Sequence, residues 1–110
     1  MAKFMFMFRG GTVPKEQYEQ HAKDWNAWFE VLGATAKIVD GGAPFGQNSK
    51  VVVAGGEARD YNWETDSNVN GYCVVDVANI DEALALTKDC PALDLEFIDG
   101  TVEVRELSAM

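Results

Sequence analysis

The hydrophobic pattern starts with an anomaly. In KFMFMFRG, residues 3–10, Phe4, Phe6 and Phe8 fall on one side of an extended strand, Met5 and Met7 on the other, and Arg9 closes the run. A strand with one wet face alternates apolar with polar residues, so both faces of this strand need cover. Gly10 and Gly11 break the run, and a helix is predicted from about Pro14, with Thr12 as a candidate N-cap. Tyr18, Ala22, Trp25, Phe29 and Leu32 recur at helical spacing, His21 and Trp28 widen the stripe, and Gly33 is expected to end the helix.

Beyond that helix, ATAKIVD (34–40) is predicted as a short strand and GGAPFGQNS (41–49) as a loop. KVVVAG (50–55) is predicted as a third strand, residues 56–70 as polar and irregular chain, and GYCVVDVA (71–78) as an apolar strand. Asn79 followed three residues later by Glu82 is a capping-box pattern. It opens a second helix with Ile80, Ala83, Leu84 and Thr87 inward, which Cys90-Pro91 is expected to stop. The final strand is GTVEVREL (100–107), and a short extra strand is predicted near LEFI (95–98).

This order is α+β, a β-α-β-β-α-β arrangement of ferredoxin-like type with an antiparallel sheet and both helices on one face. The other face is left bare, and Met5 and Met7 lie on one of the two faces of the first strand. A second copy of the sheet stacked face to face would cover it, so a homodimer is expected. The competing reading folds residues 56–70 back over the sheet within one chain.

Length and charge narrow the partners. A chain of 110 residues fits a single domain spanning 1–110. With 18 acidic against 9 basic residues the formal charge is −9, and no basic cluster appears, so nucleic acid is not expected as a partner. No apolar run reaches the roughly 18–20 residues of a membrane span, and FMFMF is too short for a secretory core. Cys73 and Cys90 form no CxxC pair and have no neighbouring histidine; free thiols in a reducing cytoplasm are expected, and no metal site. Gly10-Gly11 and Gly41-Gly42 make neither GxGxxG nor a P-loop, so no nucleotide cofactor is expected.

Candidate chemistry rests on few residues. His21 is the only histidine, and imidazole suits proton transfer at neutral pH; the same residue would also sit comfortably on a polar helix edge. Asp40 enters a glycine-rich loop, where a carboxylate either acts on substrate or simply shapes the turn. Arg9 either holds a carboxylate in a forked pair or lies at the sheet rim. Trp25 and Trp28, with Phe45 in the loop, are candidate ligand contacts; for the two tryptophans core packing is the plainer alternative.

Several pieces together resemble the YCII-related proteins, in their DGPF-type branch. They are KFMFMFRGG, WNAWFEVLGATAKIVDGGAPFG, SKVVVAGG and the stretch from Gly71-Tyr72 to Glu103-Val104-Arg105. The Asp-Gly-Pro-Phe signature stands here as Asp40-Gly41 and, after two further residues, Pro44-Phe45. The resemblance implies a dimeric α/β barrel of ferredoxin-like subunits. The aromatic candidates would suit a small apolar or aromatic ligand, and in some relatives the resemblance implies a catalytic histidine on the first helix paired with an aspartate. That histidine position corresponds to Trp25 here, and His21 lies one helical turn earlier. A small-molecule-binding homodimer without assigned catalysis is therefore the first expectation. The alternative is a cofactor-free isomerase, lyase or dehydrochlorinase acting on a small acid, aromatic or not, through His21 or Asp40.

Overall fold

The computed structural model describes residues 2–10, 13–94 and 100–109. Its centre is a four-stranded antiparallel sheet in the order β2-β5-β1-β6. The strands are β1 (Ala2–Arg9), β2 (Lys37–Asp40), β5 (Val69–Val77) and β6 (Thr101–Glu106). Helix α1 (Tyr18–Thr35) links β1 to β2, and α2 (Ile80–Leu86) follows β5. The fold is α+β, and this order is compatible with the ferredoxin-like arrangement.

The phenylalanine face of β1 carries the core. Phe4, Phe6 and Phe8 cluster with Val75, Val77 and Cys73 of β5, Trp28 and Leu32 of α1, and Ala83 of α2. Each fully buried side chain of this size contributes about 1.5–3 kcal/mol, so six central positions already outweigh any surface interaction in the chain. The Trp28 indole is buried with its ring edge-on to Phe8, and its Nε1 donates to Leu86 O at 3.2 Å. That bond ties α1 to the end of α2 and satisfies the one polar atom the ring brings inside.

Helix boundaries differ from the sequence pattern. A 3-10 turn at Lys15–Gln17 precedes α1, which runs through Gly33 to Thr35. Gly33 keeps helical backbone, and Ala36 N closes the last turn on Leu32 O at 2.9 Å. An extended Ala36 ends the helix, without the left-handed residue the glycine had implied. At α2 the N-cap forms as expected, Asn79 Oδ1 accepting from Glu82 N at 2.9 Å, while Glu82 Oε2 accepts at 3.3 Å from Ala78 N, one residue before the cap, so the reciprocal half of the capping box is displaced. The helix nevertheless stops at Leu86, before Cys90-Pro91, where Thr87 Oγ1 donates back to Leu84 O. Ala83 is buried as predicted, but Ile80 and Leu84 are about half exposed. The predicted cap at Thr12 and strand near 95–98 lie outside the described residues.

KVVVAG does not join the main sheet. β3 (Lys50–Val52) pairs only with β4 (Ala58–Asp60), a strand inside the stretch predicted as irregular. Backbone pairing suffices there: Ala58, Arg59 and Asp60 carry no apolar alternation for a pattern to detect. Gly55 and Gly56, both at positive φ, make the turn, and Lys50 pairs with Asp60 across the hairpin. Below it, Arg59 grips Asp66 through two bonds of 2.9 and 2.8 Å, which holds that carboxyl down at about 2. The arm makes the molecule broad and flat, 44 × 42 × 19 Å, with a radius of gyration of 15.3 Å where a compact chain of this length has about 13 Å.

Cys73 and Cys90 are both buried free thiols in the same core. Burial pushes Cys73 from 9.0 up to about 12 and Cys90 up to about 11. The folded thiols therefore keep their protons at pH values where the unfolded ones lose them. Stability should be level below pH 9 and fall as pH rises from there toward 11–12. Urea midpoints across that range check this, and the slope should be shallower in Cys73→Ala/Cys90→Ala. A native protein whose thiols react with a disulfide reagent at pH 8 as fast as unfolded chain would contradict it.

Candidate functional site

The loop after β2 is laid directly across β5. Asp40 Oδ1 accepts from Gly42 N at 2.8 Å, which turns the chain as an Asx motif does. Gly42 stands at φ +67°, and a Cβ there would come 1.6 Å from Tyr72 O. Pro44 then bridges to Gly71, and Phe45 N donates to Asn70 O at 2.7 Å. A Cβ on Gly71 would meet Ala43 O at 3.0 Å. Glycine at 42 is therefore demanded by both conformation and space, and glycine at 71 by the close passage of the loop. Asn70 Nδ2 donates to Gly10 O at 2.9 Å and ties this wall to the end of β1.

Between the loop, the end of β1 and the N-terminal half of α1 lies a cavity of about 530 Å³. Phe8, Trp25 and Phe29 give it an aromatic lining, and Asn26, Asn70 and His21 add polar atoms. Trp25 is held on several sides. Its ring meets Phe8 edge-on at 4.9 Å and Trp28 edge-on at 5.8 Å, and lies tilted beside Phe29 at 6.0 Å. Its Nε1 donates to His21 Nε2 at 2.9 Å, one turn earlier on the helix. That bond places the imidazole proton on Nδ1 and occupies the ring's acceptor nitrogen.

The candidate residues divide accordingly. His21 and Trp25 line the cavity, and Arg9 stands at its edge. The Arg9 guanidinium is engaged elsewhere: Nε donates to Ser67 O at 2.8 Å and Nη1 meets Glu103 Oε2 at 2.8 Å. Asp40 shapes the loop and is not among the lining residues; it and His21 each bond to other partners. Trp28 serves the core, and Phe45 is half exposed with its ring 5.9 Å from Tyr72. The structure thus brings together His21, Trp25 and Arg9, and leaves Asp40, Trp28 and Phe45 out of the cavity wall.

Sequence reasoning missed Phe8, Phe29, Asn26, Asn70 and Tyr72 as lining residues. Phe8 and Phe29 looked like core, and nothing in the sequence distinguishes a core aromatic from one at a cavity edge. A second groove of about 670 Å³ runs between α1 and the turn after α2, where Asp24, Lys88 and Asp89 join Trp28 and Leu86 in its lining. Among the described residues no three His, Cys, Asp or Glu side chains gather so as to hold a metal ion.

Gly42→Ala should destabilise the protein by more than about 2 kcal/mol, since a left-handed backbone and a clash with the Tyr72 carbonyl act together. Gly41→Ala, whose Cβ would meet nothing within 4 Å, should be near neutral. Urea unfolding of the two variants separates them; equal effects would show that the loop does not rest on β5. Against family models and curated proteins the chain shows no match.

Proposed function

We propose that the chain is a small-molecule-binding protein of YCII-related, DGPF type, acting as a homodimer whose sheets stack face to face as a dimeric α/β barrel. The observation that carries the binding role is the aromatic cavity beside Trp25, whose size falls within the 300–1,000 Å³ common for ligand pockets. Its walls are set in advance by Gly42, Gly71 and the Trp25–His21 bond, so a ligand orders little on entering. No helix among the described residues is long and apolar enough to cross a membrane. The two free buried cysteines support a reducing, cytoplasmic location.

The sheet's second face supports the dimer. Met5 stands beside Val74 and Arg105 in register, and Met7 beside Tyr72 and Glu103. Around this apolar centre lie Lys3 and Lys37, both opposite Asp76, and the Arg9–Glu103–Arg105 chain of ion pairs. One oxygen of Asp76 is enclosed there without a hydrogen-bond partner. A face with interspersed signs around a methionine centre is complementary to its own copy.

The enzymatic alternative, cofactor-free proton transfer by His21 or Asp40, draws support from the position of His21 on the cavity wall. Against it stand the occupied acceptor of His21 and the separate duty of Asp40. A thermal-shift screen of wild type and His21→Ala decides between them. A ligand at ten times its Kd stabilises by about 1.4 kcal/mol, or on the order of 5–10 °C here. The shift should persist in His21→Ala, with no turnover of that ligand in either protein. Turnover by wild type that vanishes with His21→Ala would establish the enzyme instead.

Sedimentation at micromolar concentration should give a dimer, and Met5→Lys/Met7→Lys should give single chains without a large fall in unfolding temperature. Single chains in the wild type would remove the proposed assembly.

A further inference from the structure

Charge is distributed unusually around the aromatic cavity. Among the described lining residues there is no Asp, Glu or Lys, and Arg9 is the one permanently charged residue. Its guanidinium is already spent on two partners, the Ser67 carbonyl and the Glu103 carboxylate. Glu103 in turn holds Arg105 at 3.0 Å, and these two cations keep its carboxyl below the usual range. The polar groups left to meet a ligand are the amides of Asn26 and Asn70, backbone groups of the glycine loop, and the imidazole edge of His21. Asn70 gives its Nδ2 to Gly10 O, so it presents its oxygen as an acceptor.

From this arrangement, and resting on the binding role proposed above, we infer that the cavity takes an uncharged, planar aromatic molecule with one hydrogen-bonding substituent and rejects its carboxylate and ammonium analogues. Phe8, Trp25 and Phe29 supply the apolar contact, and the asparagine amides supply the orientation. A carboxylate entering here loses its hydration and gains a full partner only by taking Arg9 from Glu103, which leaves that carboxylate with one cation fewer. The chain's formal charge of −9 opposes its approach as well. An ammonium is drawn by the same field, but it finds no carboxylate among the described lining residues and an arginine at the edge. Ring faces alone compensate only part of its desolvation.

Three probes on one bicyclic skeleton test this at pH 7: 2-naphthol, 2-naphthoate and 2-naphthylmethylammonium. Titration calorimetry should give 2-naphthol at least tenfold tighter binding than either ion. Ala22→Phe, which puts a ring into the cavity from the exposed side of α1, should weaken 2-naphthol at least tenfold with the urea midpoint of the protein unmoved. If 2-naphthoate or the ammonium binds as well as 2-naphthol and is displaced by Ala22→Phe, the binding role stands and the charge selectivity is overturned. Undiminished 2-naphthol binding in Ala22→Phe places the site elsewhere and overturns the inference. No binding by any of the three at millimolar concentration overturns the inference and the binding role together.

Discussion

The contact between the phenylalanine face of β1 and helix α1 organises this molecule. β1 is a central strand, bonded to β5 on one side and β6 on the other, so its register sets both neighbours. Phe6 is wholly buried and Phe4 and Phe8 nearly so, against Trp28 and Leu32. A one-residue slip of β1 would exchange the phenylalanine row for the methionine row and lose the fit to the helix. The same packing angles Trp25 and Phe29 toward the end of β1, where the irregular step between Phe8 and Arg9 opens the cavity. Core and candidate site are thus two ends of one aromatic row.

The site itself is shaped chiefly by backbone. The loop 41–45 rests on β5 at a separation that requires glycine at 42 and leaves little room beyond glycine at 71, and the Asp40 carboxylate and the Asn70 carbonyl hold its two ends with hydrogen bonds. Such a wall is stiff, and its bonded carboxylate, Asp40, is turned to the Gly42 amide. Arg9 and Glu103 pair with one another.

The hairpin of β3 and β4 has a different character. Its strands bond to each other and not to the four-stranded sheet, and Val52 and Val53 remain largely exposed. The Arg59–Asp66 fork and the Arg9–Ser67 bond fasten its root. Arg9 therefore stands where β1, β6 and the arm meet, and links them through one guanidinium.

Local chemistry was enough to determine much of this from sequence. Alternation in β1, the stripe of α1, the capping box at Asn79 and the valine-rich β5 each specify their element because their signal lies within a few residues. Tertiary structure alone decided the rest. Gly33 ends no helix because the Leu32 carbonyl finds the amide of Ala36. Lys50–Val52 leaves the main sheet because its partner is a polar strand that carries no pattern. Arg9 turns from ligand candidate to structural link because Glu103, distant in sequence, lies 2.8 Å away. Periodicity records which face of an element is apolar; which groups then meet depends on contacts between residues far apart in the chain, and those exist only once the chain is folded.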